Sequence, residues 1–141
     1  MNSKGVYNIK KIIVYVVIAT CLFGFTVSCQ NEQLDKNIRE MIVGKTYTYE
    51  KGGFYGSFDI LINDDGTYTY YEGSASSYLG MGTWTLEGDV LCLSDDDEFG
   101  YSLVNYFRFD GANLVFQSEN SSNFIYVKVA DGARFLNKKT K

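Results

Sequence analysis

The stretch MGTWTLEGDVLCLS, residues 81–94, contains two runs of alternating polar and apolar residues on either side of the tripeptide EGD. Trp84 and Leu86 fall on one face of the first run, and Leu91 and Leu93 on one face of the second. Alternation with a period of two is typical of a strand with one buried face. A short connection containing glycine favours a tight turn. The stretch therefore predicts a β-hairpin with these four side chains on its buried face.

The same pattern continues on both sides of this hairpin. Short runs rich in Tyr, Phe, Thr, Val and Ile are typical of strands, and they occupy residues 45–51, 56–63, 66–72, 81–87, 89–94, 103–110, 112–118 and 123–129. The connections NDDG (63–66), EGD (87–89) and DGAN (110–113) contain residues that tolerate positive φ. Eight sequential antiparallel strands predict an all-β, up-and-down barrel, which leaves no strand edge exposed.

Alternation also assigns residues of the later strands to the two faces of this barrel. Leu114 and Phe116 should point inward, together with Ile125, Val127 and Val129. The residues expected to face water are Thr83, Thr85, Asn113, Gln117 and Lys128. Longer loops are expected at 73–80, 95–102 and 119–122.

The segments that flank the barrel have different patterns. QLDKNIREMIVG (33–44) places apolar residues at helical spacing and ends on glycine, so it predicts a short helix. Its apolar residues are Leu34, Ile38, Met41 and Ile42. DGARFLNKKTK (131–141) loses periodicity and is expected to fray. The predicted organisation is a signal peptide (1–28), a linker with a short helix (29–44), the barrel (45–130) and a tail (131–141).

The hairpin motifs resemble those of lipocalin-like domains in small bacterial lipoproteins. These domains share a G-x-W/Y strand followed by D-G-T-Y, G-T-W-x-(x)-x-G-D-x-L and D-G-x-L-x-F. Here the corresponding strings are NDDGTYTYYEG, GMGTWTLEGDVLCLS and YFRFDGANLVFQ. Lys45, Thr46 and Tyr47 follow Gly44, where the family has tryptophan. Similar sequence also occurs as an extracytoplasmic module appended to membrane antirepressor-type peptidases. The resemblance implies a lipocalin-like barrel, and its hairpin motifs specify the fold more than the ligand.

The N-terminus has the layout of an export signal. Lys4, Lys10 and Lys11 precede an apolar run, residues 12–28, that contains no charge. Ser28 before Cys29 resembles the lipobox of bacterial lipoproteins, in which the cysteine is acylated and becomes the new N-terminus. Cys21, after Thr20, is a weaker candidate. We expect lipid attachment at Cys29.

Two other interpretations of this segment remain open. The run of 17 residues lies at the lower limit of the roughly 17–25 that span a bilayer as a helix, so an uncleaved anchor is possible, as is cleavage to a secreted protein. The lysines should stay cytoplasmic both in the lipoprotein and in the uncleaved anchor. The expected location is therefore the extracytoplasmic face of the cell membrane or outer membrane.

The net charge limits the classes of binding partner, and the cysteine content limits the possible disulfides. Removing residues 1–28, with three of the 13 basic and none of the 17 acidic residues, leaves 113 residues with a net charge of −7. Nucleic acid is then not an expected partner, because phosphate binding needs a basic face. We expect a monomer.

Cys92 lies in the apolar run VLCLS and is predicted to be a small buried side chain, with a reactive or paired thiol as the alternative.

No constellation of catalytic residues is evident in the sequence. The chain contains no histidine, which excludes Ser-His and Cys-His arrangements and the commonest metal ligand. GSASSYLGMG (73–82) lacks the lysine of a P-loop. The acidic run 95–98 suggests either a solvated loop or a Ca²⁺ site, and the former fits its spacing better. We predict a non-enzymatic protein without metal or cofactor.

The chain contains 12 tyrosines, and the features described above do not account for all of them. The candidate ligand-binding residues are Tyr68, Tyr70, Tyr78, Trp84 and Tyr106. Tyrosine combines an apolar ring with a polar tip and serves both packing and recognition. Two functions follow. In the first, the barrel binds a small or amphipathic ligand. In the second, the barrel is filled, and its loops and tyrosine-rich surface bind an envelope protein or glycan.

Overall fold

The computed structural model describes residues 32–50, 56–73, 78–96 and 102–138, without the side chains of Asp96 and Ser102. The predicted signal segment, Cys21, Cys29, Asp97 and Glu98 lie outside these ranges. The described residues from Asp35 onward belong to one compact unit. A helix, α1, covers residues 32–42. None of the helical structure in the described ranges is long and apolar enough to cross a membrane.

Eight antiparallel strands form a closed barrel in which each strand pairs with the next and the last pairs with the first. The strands are β1 (Thr46–Tyr49), β2 (Phe58–Ile62), β3 (Thr67–Glu72), β4 (Leu79–Glu87), β5 (Val90–Asp96), β6 (Ser102–Phe109), β7 (Leu114–Gln117) and β8 (Arg134–Lys138). The predicted up-and-down barrel is thus confirmed. The predicted turns are confirmed too, with positive φ at Gly66, Gly88 and Gly111.

The position of the eighth strand was predicted wrongly. Residues 123–129 are not a strand, whereas the expected tail contains β8, which pairs with β1 through Thr46↔Lys138 and with β7 through Leu114↔Phe135. Phe135 is fully buried and packs edge-on against Phe58 and Phe107. One inward aromatic ring therefore fixes β8, although its sequence has little apolar alternation.

The inner face otherwise follows the predicted alternation. Trp84, Leu91, Leu93, Leu114 and Phe116 are buried, and Leu86 is partly buried against the core. Thr83, Thr85 and Lys128 are exposed.

Three predictions about burial were wrong. Ile125 is 50% exposed because its segment is not a strand, although Val127 is buried. Cys92 is half-buried because it lies between two inward leucines and so points outward. Asp95 belongs to β5, not to a loop, and is buried on the same alternation as Leu91 and Leu93.

One end of the barrel is closed by α1, and we call it the helix end. Ile38 and Ile42 are buried in the core, whereas Leu34 and Met41 are exposed. The chain then turns at Gly44, where φ is +69°. The Asp35 carboxylate accepts a hydrogen bond from the Gly88 backbone N–H at 2.9 Å. The predicted short helix is therefore present, and its buried face covers this end of the barrel.

Trp84 and Arg39 lie at the same end. The Arg39 guanidinium sits 4.5 Å from the centre of the Trp84 ring, a cation–π contact. The indole N–H donates to the Asn63 carbonyl oxygen at 3.0 Å. The face of the Trp84 ring and its indole N–H therefore each have a partner, the first on α1 and the second just after β2.

Tyr47 on β1 carries a buried hydroxyl that has no hydrogen-bond partner among the described residues. A buried, unsatisfied polar group costs about 1–3 kcal/mol. We therefore expect Tyr47→Phe to raise the free energy of unfolding by about 1 kcal/mol, measured by urea denaturation. A decrease in stability would contradict this description of the hydroxyl.

Candidate ligand site at the mouth of the barrel

The end opposite α1 is covered by residues 118–133, which join β7 to β8 without helix or strand. We call this segment the crossover and this end the mouth. The crossover supplies hydrogen-bond partners to the part of β6 that lies near and beyond the end of β7. The Ser122 N–H donates to the Val104 carbonyl at 2.7 Å, the Asn105 side-chain amide donates to the Ser122 carbonyl at 2.8 Å, and the Tyr106 N–H donates to Ser121 Oγ at 2.9 Å. These bonds fix the first part of the crossover to the barrel.

Glu72 holds the middle of the crossover. It is the last residue of β3 and follows the inward alternation of Tyr68 and Tyr70, so its carboxylate is fully buried. Its oxygens accept hydrogen bonds from three consecutive backbone N–H groups, those of Ile125 at 3.1 Å, Tyr126 at 2.6 Å and Val127 at 2.9 Å. Successive N–H groups of an irregular segment make a concave anion site, and here that site is filled from within the chain.

Phe124, beside these bonds, places its ring among the aromatic side chains at the mouth. Its ring centre lies 4.7 Å from that of Phe58, 5.4 Å from Phe116 and 6.2 Å from Tyr70. The side chain is half-buried. The mouth-side interior of the barrel is therefore occupied by an aromatic ring that the crossover supplies.

Four tyrosines form a continuous row from the core to the rim of the mouth. The rings of Tyr68 and Tyr70 are stacked at 6.0 Å, and Tyr78 lies 5.9 Å from Tyr70 with the two hydroxyls 3.5 Å apart. Tyr126 of the crossover follows at 6.0 Å from Tyr78. Tyr68 and Tyr70 are buried, Tyr78 is half-buried and Tyr126 is exposed. The row thus offers aromatic faces and hydroxyl groups to a molecule at the rim.

Two glycines on β4 stand where a larger residue would collide, Gly80 with the tyrosine row and Gly82 with the backbone of β5. Gly80 is paired with Tyr70 and Gly82 with Tyr68. A Cβ atom at Gly80 would lie 2.1 Å from Cε1 of Tyr70, and one at Gly82 would lie 2.2 Å from the carbonyl oxygen of Ser94. These close contacts explain why the GMG sequence, residues 80–82, has glycine at its first and third positions.

Burial changes the ionisation of the inward tyrosines. Desolvation raises the pKa of Tyr47 to about 12. It also raises the pKa of Tyr68, with a smaller contribution from the charge of Asp95, and the pKa of Tyr70, with a contribution from the hydrogen bond to Tyr78. In each case burial in the folded barrel favours the neutral phenol over the ionised phenolate.

This shift predicts alkaline unfolding. Because the pKa of each of these tyrosines is higher in the folded chain than the unfolded value of about 10, their contribution to stability is intact below pH 10 and is lost as pH rises through about 12. We expect absorbance near 295 nm to show a group of tyrosines that ionise only together with loss of the β circular dichroism signal. Ionisation of every tyrosine near pH 10 with the barrel intact would contradict this.

The structure brings together three of the five predicted site residues. Tyr68, Tyr70 and Tyr78 belong to the row at the mouth. Trp84 is buried at the helix end. Tyr106 points outward on β6 opposite Cys92, whose neighbouring thiol raises the pKa of the Tyr106 hydroxyl. These last two residues therefore do not share the site.

Sequence reasoning missed Glu72, Phe124 and Tyr126. A signal for Glu72 was present, because TYTYYE places it on the same alternation as the two inward tyrosines. Phe124 and Tyr126 were assigned to a strand, so their place over the mouth could not be inferred. The missing information was the contact between Glu72 and residues more than fifty positions later.

Clefts among the described residues lie at the crossover. One of about 440 Å³ is lined by Phe116, Ser121, Phe124 and Tyr126, among others. A second, of about 470 Å³, is lined by Tyr49, Arg134 and Leu136 with residues 130–133. No group of three or more acidic or cysteine side chains in the described ranges is placed to hold a metal ion. The arrangement suits non-covalent binding by aromatic contact and hydrogen bonding.

No family model, curated protein or solved structure matches this chain significantly.

Proposed function

We propose that this chain is a non-enzymatic, lipid-anchored binding protein on the extracytoplasmic side of the cell envelope, and that it binds a small or amphipathic ligand at the mouth of the barrel. The tyrosine row carries this proposal. Tyr78 and Tyr126 present partly exposed rings at the rim, and Tyr70 continues the row inward. Aromatic pairs contribute about 0.5–1.5 kcal/mol beyond the area they bury.

The chemistry of the mouth narrows the ligand class. Glu72 and Asp95 are buried acidic side chains on the inward alternation of β3 and β5. An anionic group brought among them would be repelled in a medium of low dielectric constant. We therefore expect an uncharged or cationic ligand with a flat apolar part and a hydrogen-bonding group for the tyrosine hydroxyls.

A direct test uses 4-fluorophenol, a neutral aromatic probe, followed by ¹⁹F NMR with the full-length protein in detergent micelles. We expect saturable binding that Tyr78→Ala weakens about fivefold, equivalent to about 1 kcal/mol. Tyr71→Ala is the matched control, since Tyr71 lies on the outward alternation of β3. Equal effects of both substitutions, or no binding beyond that of empty micelles, would overturn the site.

An apolar rim supports a second candidate, recognition of an envelope protein or glycan. Leu79 and Met81 on β4 are 53% and 59% exposed. Leu79 pairs with Tyr71 and follows Tyr78 in the chain, whose ring contacts Tyr126. Contiguous exposed apolar residues are typical of interaction sites. Binding of an envelope component that Met81→Ser abolishes, while 4-fluorophenol binding persists, would favour this candidate.

Lipid attachment has its own test. We expect the intact mass of the membrane-extracted protein to correspond to a chain that begins at Cys29 and carries a diacylglyceryl group. Cys29→Ser should lack both the cleavage and the added mass. An unprocessed chain in both samples would instead support a retained N-terminal anchor.

A further inference from the structure

The middle of the crossover is bounded by two fixed points. On one side, Ser121 and Ser122 are bonded to β6. On the other, the Asp131 carboxylate accepts hydrogen bonds from the Ser118 N–H at 2.8 Å and the Ser118 hydroxyl at 3.1 Å. The two ends of the crossover are thus tied to the barrel and to each other, which leaves residues 123–130 as a loop between anchors.

The contacts that hold this loop against the barrel come from a few of its side chains. Ile125 and Tyr126 are exposed, Val127 is buried, and Phe124 and Val129 are partly buried against the core. In the middle of the loop, three consecutive backbone N–H groups, those of residues 125–127, donate to a single side chain, Glu72. Segments with few buried apolar contacts open locally at a lower free energy than core strands do. The loop therefore has the features of an element that opens without unfolding the barrel.

Opening of the loop would uncover aromatic surface. Phe124 is the only loop residue whose ring is seen packed against Phe58, Tyr70 and Phe116 in the described structure. Withdrawing that ring leaves a space the size of a phenyl group, walled by three aromatic side chains, of which Tyr70 is hydrogen-bonded through its hydroxyl to Tyr78. That is the environment which a neutral aromatic ring with a hydroxyl group would select.

We propose that residues 123–130 form a self-inhibitory lid: Phe124 occupies the ligand position at the mouth, and Glu72 is the latch that keeps it there. The inference rests on the proposed ligand-binding function and adds its regulation. A protein whose binding-competent state is only partly populated binds more weakly by that fraction. Weakening the latch should therefore strengthen binding without any new contact to the ligand.

The first measurement is amide hydrogen exchange on the full-length protein in micelles. Glu72→Gln keeps the shape of the side chain but replaces one acceptor oxygen with an NH₂ group, which cannot accept from a backbone N–H. We expect exchange at residues 125–127 to accelerate at least about tenfold while core strand amides keep their protection. Glu87→Gln, an exposed glutamate at the end of β4, is the control. Unchanged exchange at 125–127 would overturn the lid, whatever the binding data show.

The second measurement is ¹⁹F NMR titration of 4-fluorophenol against the same proteins and Phe124→Ala. Both Glu72→Gln and Phe124→Ala should tighten binding by about tenfold or more. Tighter binding to Phe124→Ala alone would indicate only a cavity made by truncation and would overturn the inhibitory role. Faster exchange without binding to any variant would leave the lid in place and overturn the ligand site instead, so the two failures are distinguishable.

Discussion

Phe135→Ala should lower the free energy of unfolding by about 3–5 kcal/mol, the range for truncating a buried aromatic side chain. Phe135 is fully buried and meets the rings of Tyr49, Phe58 and Phe107 at centroid distances of 5.2–5.3 Å. Its backbone belongs to β8, the strand that closes the barrel. Losing the ring removes both apolar burial and the side chain that fixes the closing strand. Urea denaturation followed by circular dichroism measures the effect.

The neighbouring residue supplies the control. Leu136 is 46% exposed and points away from the core, so Leu136→Ala should change stability by less than about 1 kcal/mol. If both substitutions had the same small effect, residues 134–138 would be a frayed tail, as the sequence pattern first suggests, and the barrel would not be closed by β8.

Gly82→Ala should lower the free energy of unfolding by about 2–3 kcal/mol. The added methyl carbon would lie 2.2 Å from the backbone oxygen of Ser94 and 2.9 Å from its carbonyl carbon, so the β4–β5 ladder must shift. Inserting a methyl group into a packed interior typically costs about 1–3 kcal/mol, and a backbone obstacle places this case at the upper end. Thermal unfolding monitored by the single tryptophan, Trp84, provides the measurement.

Gly80→Ala is the informative comparison for Gly82. There the added carbon would meet the packed ring of Tyr70. Because a displaced ring leaves the β4–β5 ladder in place, we expect a smaller loss of stability than at Gly82. Thr83 lies next to Gly82 and is exposed, so Thr83→Ala should leave the free energy of unfolding nearly unchanged. A larger effect at Gly80 than at Gly82 would contradict the assignment of the Ser94 backbone as the obstacle.

The barrel could be predicted because its information is local. The hairpin around EGD contains two alternating runs and a turn glycine within fourteen residues, and β4 and β5 pair as that pattern indicates. The last strand could not be predicted in the same way. RFLNK has one inward aromatic residue, Phe135, whereas NFIYVKV has three alternating apolar residues and yet is not a strand. A short strand whose stability comes from distant rings leaves a weak local signal.

The site could be predicted only in part for the same reason. Tyr68, Tyr70 and Tyr78 follow from composition and position, but their meeting with Tyr126 depends on the path of the crossover. That path is set by Glu72, which bonds to backbone N–H groups more than fifty residues away. A backbone donor has no residue-specific signature, so periodicity and motif do not reveal such a contact.

The measurement that tests the proposed binding site most directly is a ¹H–¹⁵N NMR titration of the isotope-labelled full-length protein with 4-fluorophenol. Binding at the mouth predicts saturable shifts for the amides of Tyr70, Tyr78, Phe124 and Tyr126, with those of Gly66 and Gly88 at the helix end unchanged. Saturable shifts centred on the helix end, or no saturable shift anywhere, would contradict the proposal that this barrel binds its ligand at the mouth.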